Sequence, residues 1–249
     1  MNKTLLVVGA TSGMAEHCSR LWLQSGTVDR LILVARNEAK LSRVAADLQV
    51  RAPSAEIVTC VFDRFNDPIA IKDLIADLVS RSTIEIALVA HGTLPEQSDC
   101  QANLGEANKA LLINGVSPAL FAESLSTHME SQGKGTLVIL SSVAGDRGRK
   151  SNYTYGAAKG LVTRYVQGLQ HRFAGTDIKI VLVKPGPTET PMTAHHSGSI
   201  KMASVESVAK TIVEGSEKGK PVIYAPAKWA LIMLIVSHLP RFIFNKMDI

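Results

Sequence analysis

The sequence predicts an α/β fold: one domain built on a doubly wound parallel β-sheet with helices on both faces. Short apolar runs of strand length alternate with longer segments of helical periodicity along the whole chain. The 249 residues suffice for one large domain, and 46% hydrophobic with 20% charged residues indicate a packed core rather than disorder. No internal repeat or long linker interrupts the alternation.

Each element follows from its own local pattern. The apolar run at 5–8 is typical of a strand buried on both sides, and the helix at 14–24 begins just after glycines. Ligands bind beyond the carboxyl ends of the strands in such a sheet, so residues that follow strands are candidates for a site. The further strands are predicted at 31–35, 57–62, 86–90, 136–140, 178–183 and 222–224, and the further helices at 38–49, 69–80, 104–130, 153–173 and 205–217.

The charge balance and the cysteines restrict partners and compartment. A net charge of +5 and a pI near 9.1 are spread along the chain without the dense basic runs of nucleic-acid binders, so no nucleic-acid partner is predicted. Cys18, Cys60 and Cys100 lack metal-ligand spacing, so no metal site is predicted. Their odd number is typical of free thiols in a reducing compartment, and no secretory signal is recognised, so a cytoplasmic location is expected.

The first strand runs into a glycine turn. Gly9 and Gly13 lie between the strand at 5–8 and the next helix, where backbone N–H groups and the positive end of the helix dipole can face a phosphate. At the first βα junction of an alternating chain, this turn favours a dinucleotide, as in a Rossmann-type sheet, over an ordinary tight turn. The predicted phosphate-binding turn also includes Thr11, Ser12 and Met14.

Arg36 follows the second strand, at the position where dinucleotide folds distinguish their cofactors. An acidic residue there binds the ribose 2′-hydroxyl of NAD, whereas an arginine accommodates the 2′-phosphate of NADP. No carboxylate precedes Glu38 after this strand. NADP(H) is therefore the predicted cofactor, with NAD(H) as the alternative.

Three residues later in the chain have the chemistry of a proton relay. Tyr155 and Lys159 share one face of the predicted helix, and Ser142 precedes Tyr155 by thirteen residues. A neighbouring cation lowers the pKa of a tyrosine from its usual value of about 10, and a serine hydroxyl can hold a carbonyl oxygen against the phenol. The trio suits proton transfer at an alcohol or ketone oxygen, and a solvated surface pair is the alternative.

Five motifs occur in one order along the chain. They are Gly9-x-x-x-Gly13-x-Ala15, Asp63 after the third strand, Asn114 in Leu-Ile-Asn-Gly, Ser142 with Tyr155-x-x-x-Lys159, and Pro185-Gly186-x-x-x-Thr190. In this order and spacing they resemble the short-chain dehydrogenase/reductase (SDR) family over essentially the whole chain. The resemblance implies a single-domain Rossmann fold, an NAD(P)-dependent oxidoreductase that acts on CH–OH groups, and a homo-oligomer.

The resemblance also implies a role for each matched residue. Tyr155 is the general acid, Lys159 lowers its pKa and holds the nicotinamide ribose, and Ser142 polarises the substrate carbonyl. Asn114 supports a water in the proton relay, and Asp63 contacts adenine. The other implied cofactor contacts are Gly92, Pro185, Gly186, Thr188 and Thr190.

The chain departs from the family pattern at three positions. Val8 replaces a threonine and Ala15 replaces a glycine, and both are small changes at packing positions that leave phosphate binding intact. His91 stands in Ala-His-Gly where the family has Asn-Ala-Gly. It is either a structural substitute or part of the substrate pocket, and it is not included among the catalytic residues.

A basic loop lies between Ser142 and Tyr155. Arg147, Arg149 and Lys150 are expected to border the substrate cleft, where arginine forks suit phosphate oxygens. The loop therefore predicts an anionic substrate, and a solvated basic loop is the alternative. A second substrate loop is predicted near 187–203.

The chain is predicted to consist of a Rossmann domain, residues 1–227, followed by an apolar C-terminal tail, residues 228–249. The apolar stretch at 229–236 is too short to span a bilayer, which needs about 20 apolar residues. Lys228, Arg241 and Lys246 flank aromatic residues as in an interfacial membrane anchor. A helix buried in the core or in a dimer interface is the alternative.

The segments 146–155, 193–195 and 224–246 are also similar to one branch of the SDR family, the reductases of keto-sugars linked to polyprenyl phosphate. That resemblance implies a role in cell-envelope glycolipid synthesis, a flavin-dependent oxidase as partner and peripheral contact with the inner face of the membrane. The branch is associated with NADH, in conflict with Arg36. The alternatives are a soluble carbonyl or β-ketoacyl reductase and, disfavoured by the intact trio, a dinucleotide sensor without turnover.

Overall fold

A computed structural model of the chain describes residues 3–193 and 202–247, and it contains the predicted parallel sheet. The seven strands are β1 (Thr4–Val8), β2 (Arg30–Ala35), β3 (Glu56–Val61), β4 (Ile86–Val89), β5 (Gly135–Leu140), β6 (Ile178–Pro185) and β7 (Val222–Ala225). They lie in the order β3-β2-β1-β4-β5-β6-β7, so the order reverses between β1 and β4. A ligand site is expected beyond the carboxyl ends of these two strands.

The helices occupy both faces, as predicted. They are α1 (Gly13–Gln24), α2 (Glu38–Arg51), α3 (Pro68–Arg81), α4 (Gln97–Ala102), α5 (Leu104–Leu111), α6 (Ser117–Gln132), α7 (Tyr153–Arg172), α8 (Val205–Glu217), α9 (Lys228–His238) and α10 (Arg241–Phe244). Side chains alternate between the two faces of each strand, so Leu5 and Val7 pack with α1, α2 and α8. Leu6 and Val8 pack instead with α3, α6 and α7.

The prediction of one uniform helix at 104–130 was wrong in the middle of that segment. Residues Leu112–Val116 form one turn of π-helix between α5 and α6. A π-turn shifts the hydrogen-bond register, and such turns occur often at functional sites. The apolar periodicity of the sequence does not report this shift, and Asn114 lies at its centre.

The described part of the tail, residues 228–247, is not buried in the core, so that alternative was wrong for these residues. Along α9 only Met233 is buried, and α10 has no buried residue. Within the part of the chain that the structure describes, no helix combines the length and hydropathy needed to cross a bilayer. The tail therefore presents apolar side chains at the surface of the domain.

Candidate active site

Ser142 and Tyr155 meet in one cavity of about 470 Å³ at the carboxyl ends of β5 and β6. Ser142 follows β5 and caps a short 3-10 turn, where its hydroxyl accepts a hydrogen bond from Ala144 N at 3.1 Å. Tyr155 lies in the first turn of α7, and its side chain lines the same cavity as Ser142. A carbonyl oxygen in this cavity can therefore contact both hydroxyl groups, as the sequence predicted.

Lys159 lies one turn after Tyr155 on α7 and is buried. Its Nζ donates a hydrogen bond to the carbonyl oxygen of Leu140 at 3.1 Å and lies 5.8 Å from the centre of the Tyr155 ring. The ammonium is therefore anchored to the end of β5 beneath the cavity. This arrangement brings the three predicted residues of the relay together.

Tyr155 does not have the net lowered pKa that was predicted from the charge of Lys159. Burial raises the pKa of Tyr155 to about 12, and the nearby hydroxyl of Ser142 lowers it only in part. Burial also lowers the pKa of Lys159 to about 8. The prediction considered only charge, whereas desolvation dominates at both residues. Tyr155 is consequently protonated at neutral pH, which is the state that a general acid requires.

Asn114 connects the π-turn to the loop after β4. Its Oδ1 accepts a hydrogen bond from Thr93 N at 2.8 Å, and its Nδ2 donates to the carbonyl oxygen of Ala110 at 3.0 Å. A Cβ at Gly92 would lie 2.7 Å from Asn114 Oδ1, so a side chain there would displace the amide. Asn114 is fully buried beside Lys159 rather than exposed in a cavity.

Gln97 positions the start of α7, and no sequence pattern predicts this role. The N-cap residue Asn152 makes no capping hydrogen bond with its side chain. Instead, Gln97 Oε1 accepts from Thr154 N at 2.9 Å, and Gln97 Nε2 donates to Thr154 Oγ1 at 3.1 Å. The α4 helix that carries Gln97 has only six residues, too few for a periodicity that the sequence could reveal.

The glycine turn lines a second cavity of about 170 Å³ at the carboxyl ends of β1, β2 and β4. Gly9 has a φ of +87°, and a Cβ there would lie 2.5 Å from His91 N, so both conformation and space require glycine. Ser12 precedes α1 and makes no capping hydrogen bond with its side chain. The first N–H groups of α1 therefore lack helical partners and can bind a phosphate. The predicted residues in this cavity are Gly9, Thr11, Ser12, Gly13, Met14, Arg36, Gly92 and Thr190.

The loop after β6, residues 186–190, joins the two cavities. Thr190 and Met14 line both of them, while Pro185, Gly186 and Thr188 line the cavity of Tyr155. Thr188 is buried, and its hydroxyl donates to the carbonyl oxygen of Gly186 at 2.8 Å. A dinucleotide bound at the glycine turn would thus extend toward Ser142 and Tyr155. Asp63 is exposed beyond the end of β3 and lines neither cavity, so its adenine contact stays a prediction.

The basic loop does not act as one cluster. Arg149 is half-buried in the wall of the Tyr155 cavity, whereas Arg147 and Lys150 line neither cavity. Arg147 Nη1 donates to the carbonyl oxygens of Val236 at 2.5 Å and Leu239 at 2.7 Å. The predicted concentration of three cations beside the carbonyl was therefore wrong, because the tail binds one of them. Of the second predicted loop, residues 194–201 lie outside the described residues.

His91 is a core residue at the edge of the cofactor cavity. Its ring packs against Phe65 and Phe121, with ring centroids at 4.8 and 5.3 Å, and its Nε2 lies 2.9 Å from Ser117 Oγ. Its Nδ1 is buried without a hydrogen-bond partner among the described residues. Burial, followed by the charges of Lys159 and Arg36, lowers its pKa to about 3. His91 is therefore neutral at physiological pH and is a poor candidate for acid–base chemistry.

We expect His91 to make the protein less stable in acid. The pKa in the folded state lies below the unfolded value of about 6.5, so below that pH the unfolded chain binds a proton that the folded chain excludes. The free energy of unfolding should fall by up to about 1.4 kcal/mol for each pH unit between 6.5 and 3. Urea unfolding of wild type and His91→Asn at a series of pH values measures this. Equal slopes for the two proteins would contradict it.

The sheet topology, the glycine turn and the Ser142, Tyr155 and Lys159 site define an NAD(P)-dependent oxidoreductase of the SDR class. The chain belongs to this family, since residues 3–200 match the family model for short chain dehydrogenases. An uncharacterised oxidoreductase of Mycobacterium tuberculosis is 31% identical over 98% of this chain and 96% of its own length. One of Streptomyces coelicolor is 28% identical over 98% and 96%. The solved structure of a Burkholderia cenocepacia short chain dehydrogenase in complex with NADP has a TM-score of 0.82 at 16% identity, over 98% of this chain and 97% of that one.

Proposed function

We propose that the protein is an NADPH-dependent ketoreductase whose substrate is a keto-sugar linked to a polyprenyl phosphate. The observation that carries this proposal is Arg149, a half-buried guanidinium in the same cavity as Ser142 and Tyr155. Burial lowers its pKa, and among the described residues no carboxylate forms an ion pair with it. A phosphate group on the substrate would supply the missing partner through charge-assisted hydrogen bonds.

The residues of the cavity can perform the proton chemistry of a carbonyl reduction. NADPH supplies the hydride when it is bound at the glycine turn. Tyr155 donates its proton to the oxygen that becomes the alcohol, and Ser142 donates a hydrogen bond to the same oxygen. The positive charge of Lys159 then stabilises the tyrosinate that remains.

The substrate class is also supported by resemblance. The segments 146–155 and 224–246 are similar to those of decaprenylphosphoryl-2-keto-β-D-erythro-pentose (2-keto-ribose) reductase. For this chain, that similarity supports a keto-sugar made by a flavin-dependent oxidase partner in cell-envelope glycolipid synthesis.

A soluble carbonyl or β-ketoacyl reductase is the second candidate. It is favoured by the apolar side chains that share the cavity with Arg149, which are Met14, Leu94, Val143, Met192 and Met202. These side chains would suit an uncharged hydrophobic ketone without any role for the guanidinium. The two candidates therefore differ in what Arg149 does.

We expect Arg149→Met to lower kcat/KM for a keto-sugar polyprenyl phosphate by about 10- to 100-fold, as for the loss of a charge-assisted hydrogen bond. Activity on an uncharged soluble ketone should be unchanged. NADPH oxidation with each substrate measures both values, and Arg164→Met, which removes an exposed arginine of α7, is the matched control. Turnover of soluble ketones alone, with no effect of Arg149→Met, would favour the second candidate.

We also expect Arg36 to set the cofactor preference. Arg36 is exposed at the end of β2 and lines the cofactor cavity, where a 2′-phosphate would meet its guanidinium. Arg36→Leu should weaken NADPH binding by about 10- to 100-fold and leave NADH binding nearly unchanged. Fluorescence titration with the two cofactors measures this. An equal loss for NADH, or a wild-type preference for NADH, would overturn the assignment.

A further inference from the structure

The tail exposes an apolar surface that the domain does not cover. Leu231, Leu234 and Ile235 on α9 are 64%, 59% and 55% exposed, and Phe242 on α10 is 70% exposed. The first three are spaced so that they share one face of the helix. Exposed large apolar side chains that cluster on a short segment mark an interaction site in folded proteins. We call these four residues the outer tail surface.

The opposite side of the tail is fixed to the domain. Trp229 packs against Gly186 so closely that a Cβ on that glycine would overlap the indole. Met233, one turn later, is buried. Near the end of the tail, the guanidinium of Arg147 lies 3.8 Å from the centre of the Phe244 ring and donates to two α9-end carbonyls. The outer tail surface is therefore held in a defined orientation rather than carried on a loose extension.

The tail is net basic, and Asp248 is its one carboxylate side chain. Lys228, Arg241 and Lys246 are exposed, and residues 228–247 contain no aspartate or glutamate. Cations around an apolar surface complement anionic lipid headgroups above an acyl region. A second copy of the chain fits less well, because each tail would bring three cations and only one carboxylate side chain, Asp248, to a symmetric contact.

The tail is shaped to lie on a bilayer rather than to cross it. The eleven residues of α9 reach about 16 Å, against about 30 Å for a hydrocarbon core. We propose that the outer tail surface binds an anionic lipid bilayer and holds the domain on it. This goes beyond the proposed function, since such a surface would bind lipid whatever the substrate. Because Arg147 and Gly186 belong to the loops of the Tyr155 cavity, the bilayer would lie beside the site.

Vesicle binding by the full-length protein, without substrate, tests the proposal. We expect sedimentation with vesicles of phosphatidylcholine that contain phosphatidylglycerol, weaker binding to pure phosphatidylcholine, and a decrease with salt. Leu231→Ser/Phe242→Ser should weaken binding by about tenfold or more. Arg241→Gln/Lys246→Gln should weaken it by about fivefold for each charge.

Matched substitutions elsewhere on the surface should leave vesicle binding unchanged. Val50→Ser/Leu104→Ser removes two comparably exposed apolar side chains, and Lys72→Gln/Lys220→Gln removes two exposed lysines. Unchanged NADPH affinity in every variant shows that the domain is folded. The proposal is overturned if wild type does not bind anionic vesicles, or if the tail and control variants bind equally. It is also overturned if Leu231→Ser/Phe242→Ser leaves vesicle binding intact and instead splits an oligomer in sedimentation velocity. None of these outcomes depends on which ketone the enzyme reduces.

Discussion

Tyr155→Phe is expected to lower kcat by about 10²- to 10⁴-fold, the range of a positioned general acid, while NADPH binds with nearly unchanged affinity. The substitution removes the hydroxyl group and keeps the ring in the wall of the cavity. The substrate oxygen then loses its proton donor, whereas the glycine turn is untouched. Single-turnover kinetics and NADPH titration measure the two effects separately.

Tyr153 provides a matched control for this substitution. It lies two residues earlier on α7, is exposed, and does not line the Tyr155 cavity. Tyr153→Phe should therefore leave turnover unchanged. Comparable turnover of Tyr155→Phe and wild type would remove Tyr155 from the mechanism, and a parallel loss of NADPH binding would assign it a structural role instead.

Lys184→Met is expected to cost about 3–5 kcal/mol of stability, because it leaves a buried carboxylate without its cation. The side chains of Lys184 on β6 and Asp146 in the loop after Ser142 are 8% and 9% exposed, and Nζ lies 2.5 Å from Oδ1. Tyr224 donates a hydrogen bond to the other carboxylate oxygen at 2.8 Å, and burial, followed by Asp146, raises the pKa of that tyrosine. The contacts of Asp146 with Lys184 and Tyr224 thus attach the loop after Ser142 to β6 and β7.

A double-mutant cycle distinguishes the buried pair from simple packing. Asp146→Leu/Lys184→Met removes both charges and should recover most of the stability lost in Lys184→Met. Arg81→Met breaks an exposed pair with Asp77 and should cost about 0–1 kcal/mol. Urea unfolding gives all these values. Additive losses in the double variant would contradict the assignment, since no coupling energy would then join the two residues.

The regular parts of the fold were predictable because they depend on local patterns. A short apolar run predicts a buried parallel strand such as β1, and the glycines that follow β1 predict a βα junction. The π-turn around Asn114 was not predictable, since it changes the hydrogen-bond register without changing which residues are apolar. The sequence also could not show whether α9 is exposed or buried. Composition shows that a segment is apolar, but it does not show which neighbours cover it.

The candidate site was predictable where its chemistry follows from spacing. The helical spacing of Tyr155 and Lys159 places both side chains on one face. Ser142, which was also predicted, approaches them from the end of β5. Contacts between distant segments were not predictable. Arg147 contacts carbonyls 89 and 92 residues away, and Gln97 contacts Thr154 across 57 residues, so nothing in the neighbouring sequence signals either. The rise of the Tyr155 pKa by desolvation was not predictable either, because the burial of a side chain depends on the complete fold.

We expect hydride to pass from the cofactor to a carbonyl held by Ser142 and Tyr155. Single turnover with NADPH deuterated at both C4 positions and a keto-sugar polyprenyl phosphate tests it most directly, with mass spectrometry of the product. We expect one deuterium at the new carbinol carbon in wild type and a greatly slowed transfer in Tyr155→Phe. Binding of NADPH and of the lipid-linked sugar without any deuterium in the sugar would contradict the claim.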